Sequence, residues 1–231
     1  MPLPIRDLMA YDGGRMELIE RRLKTPGGDL TTRCAPRMAA NADWLLKTIA
    51  GFQAGGQSLT EGGKIRFGWV VLTLRKEGGD WRICEPDFAA DPVRDVREDV
   101  SLTLTIASAQ GFVAKRAGAA PADCFYLDWV LAAKGCLGRP QLYLQREEPV
   151  AEGDSGWYVA ALPPPGPDRP LPDPKERTDP KNYERIPAHA LLTKRPGIVQ
   201  ALALPTGWFV VLNGEEIIGV TDPAGKQVWG S

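Results

Sequence analysis

Glycine and proline set the strongest limit on what this chain can fold into. Its 231 residues include 25 glycines and 21 prolines. Proline lacks a backbone donor and has a fixed φ, and glycine adopts turn conformations that other residues avoid. A chain punctuated this often favours short elements and many turns over long helices. The sequence predicts an α+β protein made of two small α+β domains, with antiparallel sheets and few short helices.

Charge and apolar content exclude several classes of partner. The chain carries 28 basic and 29 acidic residues, a net charge of −1. No overall field would therefore attract nucleic acid or an anionic membrane, and we expect neither as a partner. No run approaches the roughly 18 apolar residues of a membrane span. The first residues lack the apolar core of a secretory signal, so we expect a soluble, cytoplasmic protein.

The first predicted domain, residues 1–118, contains two helical patterns and one hairpin pattern. Apolar residues recur every three or four positions over Ala35–Phe52 and predict an amphipathic helix. Its apolar face consists of Met38, Ala42, Leu45, Ile49 and Phe52. Lys64–Arg75 predicts one central strand, which returns after a Gly-Gly turn as Trp81–Cys84. Val100–Arg116 fits a strand or a helix, and its acidic start and basic end favour the helix.

The second predicted domain, residues 119–231, begins with strand patterns. Phe125–Leu131 predicts a strand, Gln141–Gln145 its return and Trp157–Ala161 a third strand. Residues 163–180 contain eight prolines, which predict an extended surface loop.

Short helices and a hairpin are predicted after that loop. Ile186–Leu204 predicts one or two short helices, interrupted at a Pro-Gly pair. Asn213-Gly214 separates two apolar runs and predicts a hairpin closed by a type I′ turn. A further turn is predicted over residues 222–226.

Residues typical of catalysis do not form a recognisable set. The cysteines are far apart and show no C-x-x-C motif, which favours buried reduced thiols over a zinc or redox site; they are Cys34, Cys84, Cys124 and Cys136. His189 is the only histidine, and Ser155 lies in a sequence that resembles a nucleophile elbow only superficially. No glycine pair is followed by the lysine of a phosphate loop. We expect no catalytic residue, cofactor or metal.

An acidic loop follows the first hairpin. Its carboxylates are Glu85, Asp87, Asp91 and Asp95. Calcium loops need oxygen ligands at fixed offsets with a glycine at the sharp turn, and DFAADPVRD has neither. The loop is therefore interpreted as solvated or as a surface for a protein partner.

The stretch QLYLQREEPVAEGDSGWY, residues 141–158, organises the second domain. A strand enters a charged corner, and a second strand leaves it. The residues expected to shape the corner are Arg146, Pro149, Ser155, Gly156 and Trp157. The carboxylates expected at its tip are Glu147, Glu148, Glu152 and Asp154. The corner is either a solvated structural turn or an interaction surface.

REEP at 146–149 and DSGW at 154–157 also carry a resemblance. Together with the proline-rich spacer, the short helical segment and the closing hairpin, they resemble immunity proteins of bacterial polymorphic toxin systems. Among these proteins, the sequence resembles the immunity family numbered thirty-three, whose domain was long described as being of unknown function. The resemblance covers roughly Asp123 to Val220, and residues 66–88 are similar to segments that accompany that domain. The long proline insertion after Leu162 and the Trp-rich ending depart from the pattern.

The resemblance implies a cytosolic antidote that binds the catalytic domain of a cognate toxin. We expect a nuclease or another cytosol-acting toxin, delivered by a type VI or similar secretion system. An acidic surface suits the basic substrate groove of a nuclease. The expected toxin-binding residues are Glu147, Glu148, Glu152, Asp154, Asp87, Asp91 and Asp95. The protein itself is expected to be a monomer or weak dimer.

Two other function classes remain open from the sequence. One is a small carboxylate-dependent hydrolase, which would need two carboxylates brought together by folding. The other is an adaptor module that uses the proline-rich segment as a docking ligand. The missing catalytic set favours a binding protein over the hydrolase.

Overall fold

A computed structural model describes residues 17–163, 179 and 181–230. The chain forms two compact units that meet in sequence between Ser108 and Ala109. Each unit has its own sheet and helices, which confirms the α+β class. The predicted domain boundary at 118/119 stays a prediction. Most of the predicted proline-rich loop, 164–178 and 180, lies outside the described residues.

The N-terminal unit contains six strands and one complete helix. The strands are β1 (Ile19–Leu23), β2 (Leu30–Cys34), β3 (Lys64–Phe67), β4 (Val70–Glu77), β5 (Asp80–Pro86) and β6 (Val96–Arg97). The sheet order is β1-β2-β5-β4-β3, and β6 pairs with β5. All these pairs are antiparallel except β2–β5, which is parallel. The predicted antiparallel pairing therefore holds for most of this sheet, and the β2–β5 pair makes it a mixed sheet.

Helix α1 (Ala39–Ala54) follows a 3-10 turn at Pro36–Met38. Four of the five predicted apolar positions are buried, because that face packs on the sheet strands β1 and β2. Phe52 is the exception at 40% exposure, since it lies in the last helical turn before Gly55. Helix α2 (Ser101–Ala117) confirms the helical interpretation of Val100–Arg116. The sequence boundary between the units, Ser108/Ala109, falls within its residues.

The single strand predicted over Lys64–Arg75 is wrong. Gly68 adopts φ +55° and, with Trp69, turns the chain, so that β3 and β4 form a hairpin with Phe67 opposite Val70. The apolar run hid the turn because Trp69 and Val70 are both buried after it. The next hairpin, with Glu77 opposite Asp80, confirms the predicted turn.

The C-terminal unit contains a seven-stranded sheet. Its strands are β7 (Trp129–Ala133), β8 (Gln141–Arg146), β9 (Asp154–Ala161), β10 (Tyr183–Pro187), β11 (Phe209–Asn213), β12 (Glu216–Thr221) and β13 (Gln227–Trp229). The order is β10-β7-β9-β8-β11-β12-β13. Only β7–β9 is parallel. The predicted pairing of the first strand with its return is wrong, because β9 lies between β7 and β8.

The start of β7 also differs from the prediction. Phe125 donates its backbone N–H to Asp128 Oδ2 at 2.7 Å, which closes a turn where a strand was expected. The strand therefore begins at Trp129 instead of Phe125.

Short helical segments lie between β10 and β11, as predicted. They comprise a 3-10 turn at Ala188–Ala190, helix α3 (Leu191–Lys194) and a 3-10 helix at Pro196–Ala201. The closing β11–β12 hairpin is confirmed, but its turn is not type I′. Asn213 pairs with Glu216, so Gly214 and Glu215 are the two central residues of the turn. Gly214 has φ +58°, whereas Glu215 has a negative φ, because only glycines in the described chain have a positive φ. This is the type II′ pattern.

The four cysteines are buried and unbonded, as the sequence predicts. Burial raises the pKa of every one of these thiols. A thiol with a raised pKa is a poor nucleophile at neutral pH, so their role here is packing.

Candidate functional site

The β8–β9 hairpin forms the charged corner that the sequence singles out. Its last paired residues are Arg146 and Trp157. Gly156 has φ +72°, and a Cβ at this position would lie 2.1 Å from the carbonyl oxygen of Glu147. Glu147 in turn donates its N–H to the carbonyl of Gly156 at 2.9 Å. The two chain segments cross too closely for any side chain other than hydrogen at residue 156.

Arg146 lies under this corner with only 5% of its surface exposed. Its guanidinium donates to the backbone carbonyls of Ser155 at 3.0 Å, Leu204 at 2.7 Å and Leu202 at 3.5 Å, and also to that of Asp123. We call these four acceptors the carbonyl cage. Hydrogen bonds from a charged donor are stronger than neutral ones. The cage thereby compensates the cost of burying a cation, although burial still lowers the pKa of the Arg146 guanidinium.

The backbone and side chains next to Arg146 complete this buried core. Trp157 is 1% exposed, and its indole N–H donates to the carbonyl of Leu202 at 3.0 Å. Ser155 donates its hydroxyl to the carbonyl of Trp129 at 2.9 Å and accepts the N–H of Trp157. The Ser155 hydroxyl therefore links β9 to β7, a use that differs from that of a nucleophile facing a cleft.

Residues 147–154, which we call the hairpin tip, project from the rigid base. Val150 is 84% exposed, and Glu148 and Glu152 are also exposed. Asp154 faces inward: one carboxylate oxygen accepts the N–H of Val150 at 3.0 Å, and the other accepts that of Gly156 at 2.8 Å. Of the four predicted tip carboxylates, Asp154 therefore shapes the tip, Glu147 is partly buried, and two present their charge to solvent.

Three of the four predicted loop carboxylates of the N-terminal unit lie in a loop and accept hydrogen bonds from its backbone. Asp87 and Asp91 accept backbone N–H groups two residues ahead, from Ala89 at 3.0 Å and Val93 at 2.9 Å. Asp95 accepts the N–H of Asp91 at 3.3 Å. These three carboxylates hold the loop backbone in shape while remaining partly or fully exposed.

Glu85 does not belong to the loop, which corrects the sequence interpretation. It is the penultimate residue of β5 and is 0% exposed. The Arg97 Nε–H donates to Oε1 at 2.8 Å, and the N–H of Thr103 in the first turn of α2 donates to Oε2 at 2.8 Å. Burial raises the pKa of the Glu85 carboxyl to about 7, against the lowering effects of Arg97 and Thr103.

A second buried arginine, Arg195, was not singled out by the sequence. It donates to the carbonyls of Pro140 at 3.0 Å and Gly214 at 2.7 Å, and its Nε lies 3.4 Å from Glu215 Oε1. Glu215 also accepts the N–H of Gly197 at 2.5 Å. Glu215 is thus used inside the unit, and no spacing rule in the sequence would have identified this pairing.

Two kinds of feature are absent from the described residues. Over residues 17–163, 179 and 181–230, no group of three or more His, Cys, Asp or Glu side chains is arranged to hold a metal ion. None of the helices in that same part of the chain is long and apolar enough to cross a membrane.

Comparison with known proteins identifies one family. Residues 109–229 match the model of the Imm33-like domain, which is more than half of the chain. The match includes the hairpin tip and the whole carbonyl cage. No match was found among the curated proteins or among the solved structures.

Proposed function

Since the chain belongs to the Imm33-like family, we propose that it is an immunity protein that binds and neutralises a cognate secreted antibacterial toxin in the cytoplasm. The matched residues, 109–229, contain the hairpin tip, an exposed acidic segment whose base is held by hydrogen bonds. The observation that supports this proposal most directly is the carbonyl cage. It fixes the base of an exposed acidic tip before any partner arrives.

A rigid tip suits inhibition by direct binding. Association costs less free energy when the binding loop is already ordered in its bound conformation. Arg146, Asp154 and Gly156 all restrict the backbone of the tip. The exposed Val150 supplies an apolar contact between the two outward carboxylates, Glu148 and Glu152.

The charge of the tip favours a toxin with a basic groove. We propose a nuclease, because its substrate groove must attract phosphate and would equally attract carboxylates. Carboxylates at the rim of an interface act mainly on the association rate, and their effect is screened by salt. Asp87, Asp91 and Asp95 form a second acidic surface, in the N-terminal unit, and are proposed as a second set of contacts.

Use of the Ser155 hydroxyl inside the sheet and the inward turn of Asp154 support a binding role over a hydrolase. The adaptor alternative depends on residues 163–180, of which only Pro163 and Asp179 are described. Delivery of the toxin by a type VI or similar secretion system is part of the proposal, and no residue in the fold bears on it.

The decisive experiment measures binding to the toxin encoded beside this gene. The variant Glu148→Lys/Glu152→Lys reverses the charge of the tip. Its matched control, Glu17→Lys/Glu184→Lys, makes the same charge change at two exposed glutamates elsewhere. We expect the tip variant to bind at least about tenfold more weakly, through a slower association rate, and to lose protection of toxin-producing cells. The control should bind within about twofold of the wild type.

Two results would contradict different parts of this proposal. A neighbouring toxin that kills cells equally in the presence of the wild-type protein, with no complex in solution, would overturn the immunity function. Wild-type binding that both double variants retain equally would leave the immunity function standing and overturn the tip as the contact surface.

A further inference from the structure

A cleft in the N-terminal unit lies outside the residues that match the family. It has a volume of about 540 Å³ and opens between the β1–β2 turn and the C-terminal half of α1. This volume lies within the range of roughly 300–1,000 Å³ that is usual for ligand pockets. Its walls combine apolar and polar groups; those that the argument uses are Lys24, Gln53, Gln57, Ser58 and Trp81.

One of the residues that line the cleft, Trp81, has an indole ring held in place by its contacts. Trp81 is buried, and its Nε1–H donates to the carbonyl of Gly27 at 3.1 Å. Lys76 Nζ lies 5.3 Å from the centre of the same ring. A fixed aromatic surface of this kind binds the apolar atoms of a ligand without losing side-chain entropy.

Gln53 supplies an unused hydrogen-bond acceptor at the cleft wall. Its Oε1 is shielded from water and accepts no hydrogen bond from the described residues. An unsatisfied buried acceptor costs about 1–3 kcal/mol. A ligand with an N–H group would remove this cost after a small rotation of the side-chain amide, a torsion with a broad energy minimum.

Charge selects the class of ligand. Lys24 is the one charged side chain among the described residues that line the cleft, and it is exposed. A carboxylate on the ligand is therefore attracted, and no lining carboxylate opposes it. Gln57 and Ser58 add neutral donors at the same rim.

We propose that this cleft binds an acidic peptide segment of a partner protein. A backbone N–H of the peptide bonds Gln53 Oε1, a carboxylate side chain pairs with Lys24, and the intervening apolar atoms lie on Trp81. This gives the N-terminal unit a binding function of its own, separate from neutralisation of a toxin by the tip.

The test is an NMR titration of the full-length, ¹⁵N-labelled protein with two capped tripeptides, acetyl-Ala-Glu-Ala-amide and acetyl-Ala-Gln-Ala-amide. With the acidic peptide we expect saturable shifts of the Trp81 indole and Gln53 side-chain amide signals. Lys24→Gln should weaken the acidic peptide about threefold, to the level of the neutral one, because Lys24 is exposed. Gln53→Leu should weaken both peptides. Lys47→Gln, the same change on the exposed face of α1, should alter neither.

Three outcomes would overturn the proposal. The first is the absence of shifts at Trp81 and Gln53 at millimolar peptide. The second is binding that Lys24→Gln and Gln53→Leu leave unchanged. The third is saturable binding of acetate alone with the affinity of the acidic peptide, which would make the cleft a site for small anions.

Discussion

Each unit buries a charged side chain where elements of its fold meet, and the two units compensate the buried charge in different ways. Arg146 of the C-terminal unit is surrounded by backbone carbonyls, whereas Glu85 of the N-terminal unit meets Arg97 and a helix N–H. Carbonyl dipoles do not titrate, so the cage around Arg146 is indifferent to pH. The Glu85 carboxyl titrates near neutrality, so its junction depends on a proton. The tip is therefore held by the less variable of the two arrangements.

The largest test of this comparison removes the cation from its cage. Arg146→Met keeps the aliphatic part of the side chain and removes the guanidinium. The carbonyls of Asp123, Ser155 and Leu204 lose this donor, while the carbonyl of Leu202 keeps the indole N–H of Trp157. We expect a loss of about 4 kcal/mol in the free energy of unfolding, because buried carbonyl acceptors are left unsatisfied at about 1–3 kcal/mol each. Urea denaturation measures it, and the exposed Arg139→Met serves as the control. A loss below about 1 kcal/mol would show that the cage does not hold the corner.

The second test exposes the proton dependence of Glu85. Its folded pKa of about 7 lies above the ordinary value of 4.5, so the native state binds the proton more tightly. The contribution of Glu85 to stability is thus complete below pH 4.5 and is lost as pH rises through about 7, a change of about 3 kcal/mol.

The variant Glu85→Gln has no proton to lose at this site. We expect the difference in stability between variant and wild type to grow in favour of the variant from pH 4.5 to pH 8. Hydrogen exchange of β5 amides reports it for this unit alone. A difference that stays constant over this range would show that the buried carboxyl is ionised throughout.

The third and smallest test separates backbone geometry from contact at the corner. Gly156 and Gly135 have nearly equal φ values, +72° and +73°, but a Cβ at Gly135 meets nothing within 4 Å. Gly135→Ala should cost about 1 kcal/mol for the left-handed backbone alone. Gly156→Ala should cost about 2 kcal/mol more, because of the collision with Glu147. Equal thermal shifts in the two variants would mean that the segments separate without cost.

Local signals in the sequence are enough to predict the elements whose interacting residues are close along the chain. Helix α1, helix α2 and the turns at Gly78 and Gly214 are each specified within about twenty residues. The parallel insertion of β9 beside β7 depends on contacts between distant strands, and no turn signal encodes it. The turn at Gly68 is hidden for a related reason, since the buried residues on both sides of it give the apolar pattern of one continuous strand.

The residues of the candidate site likewise differ in whether the sequence alone reveals them. The exposed acids of the tip and the glycine of the corner are visible in the sequence, because composition and turn chemistry mark them. The burial of Arg146, Arg195 and Glu85 is not visible, because an arginine or glutamate is normally exposed. Only the fold reveals which carbonyls or amides compensate such a charge.

The acceptors of Arg146 leave the ribosome at widely separated times. The carbonyl of Asp123 precedes the guanidinium by 23 residues, while that of Leu204 follows it by 58. A nascent chain that has reached only the end of β9 therefore lacks two of the four acceptors. We expect the tip to acquire its final shape late in translation, so that a cell gains protection from completed molecules and not from growing ones.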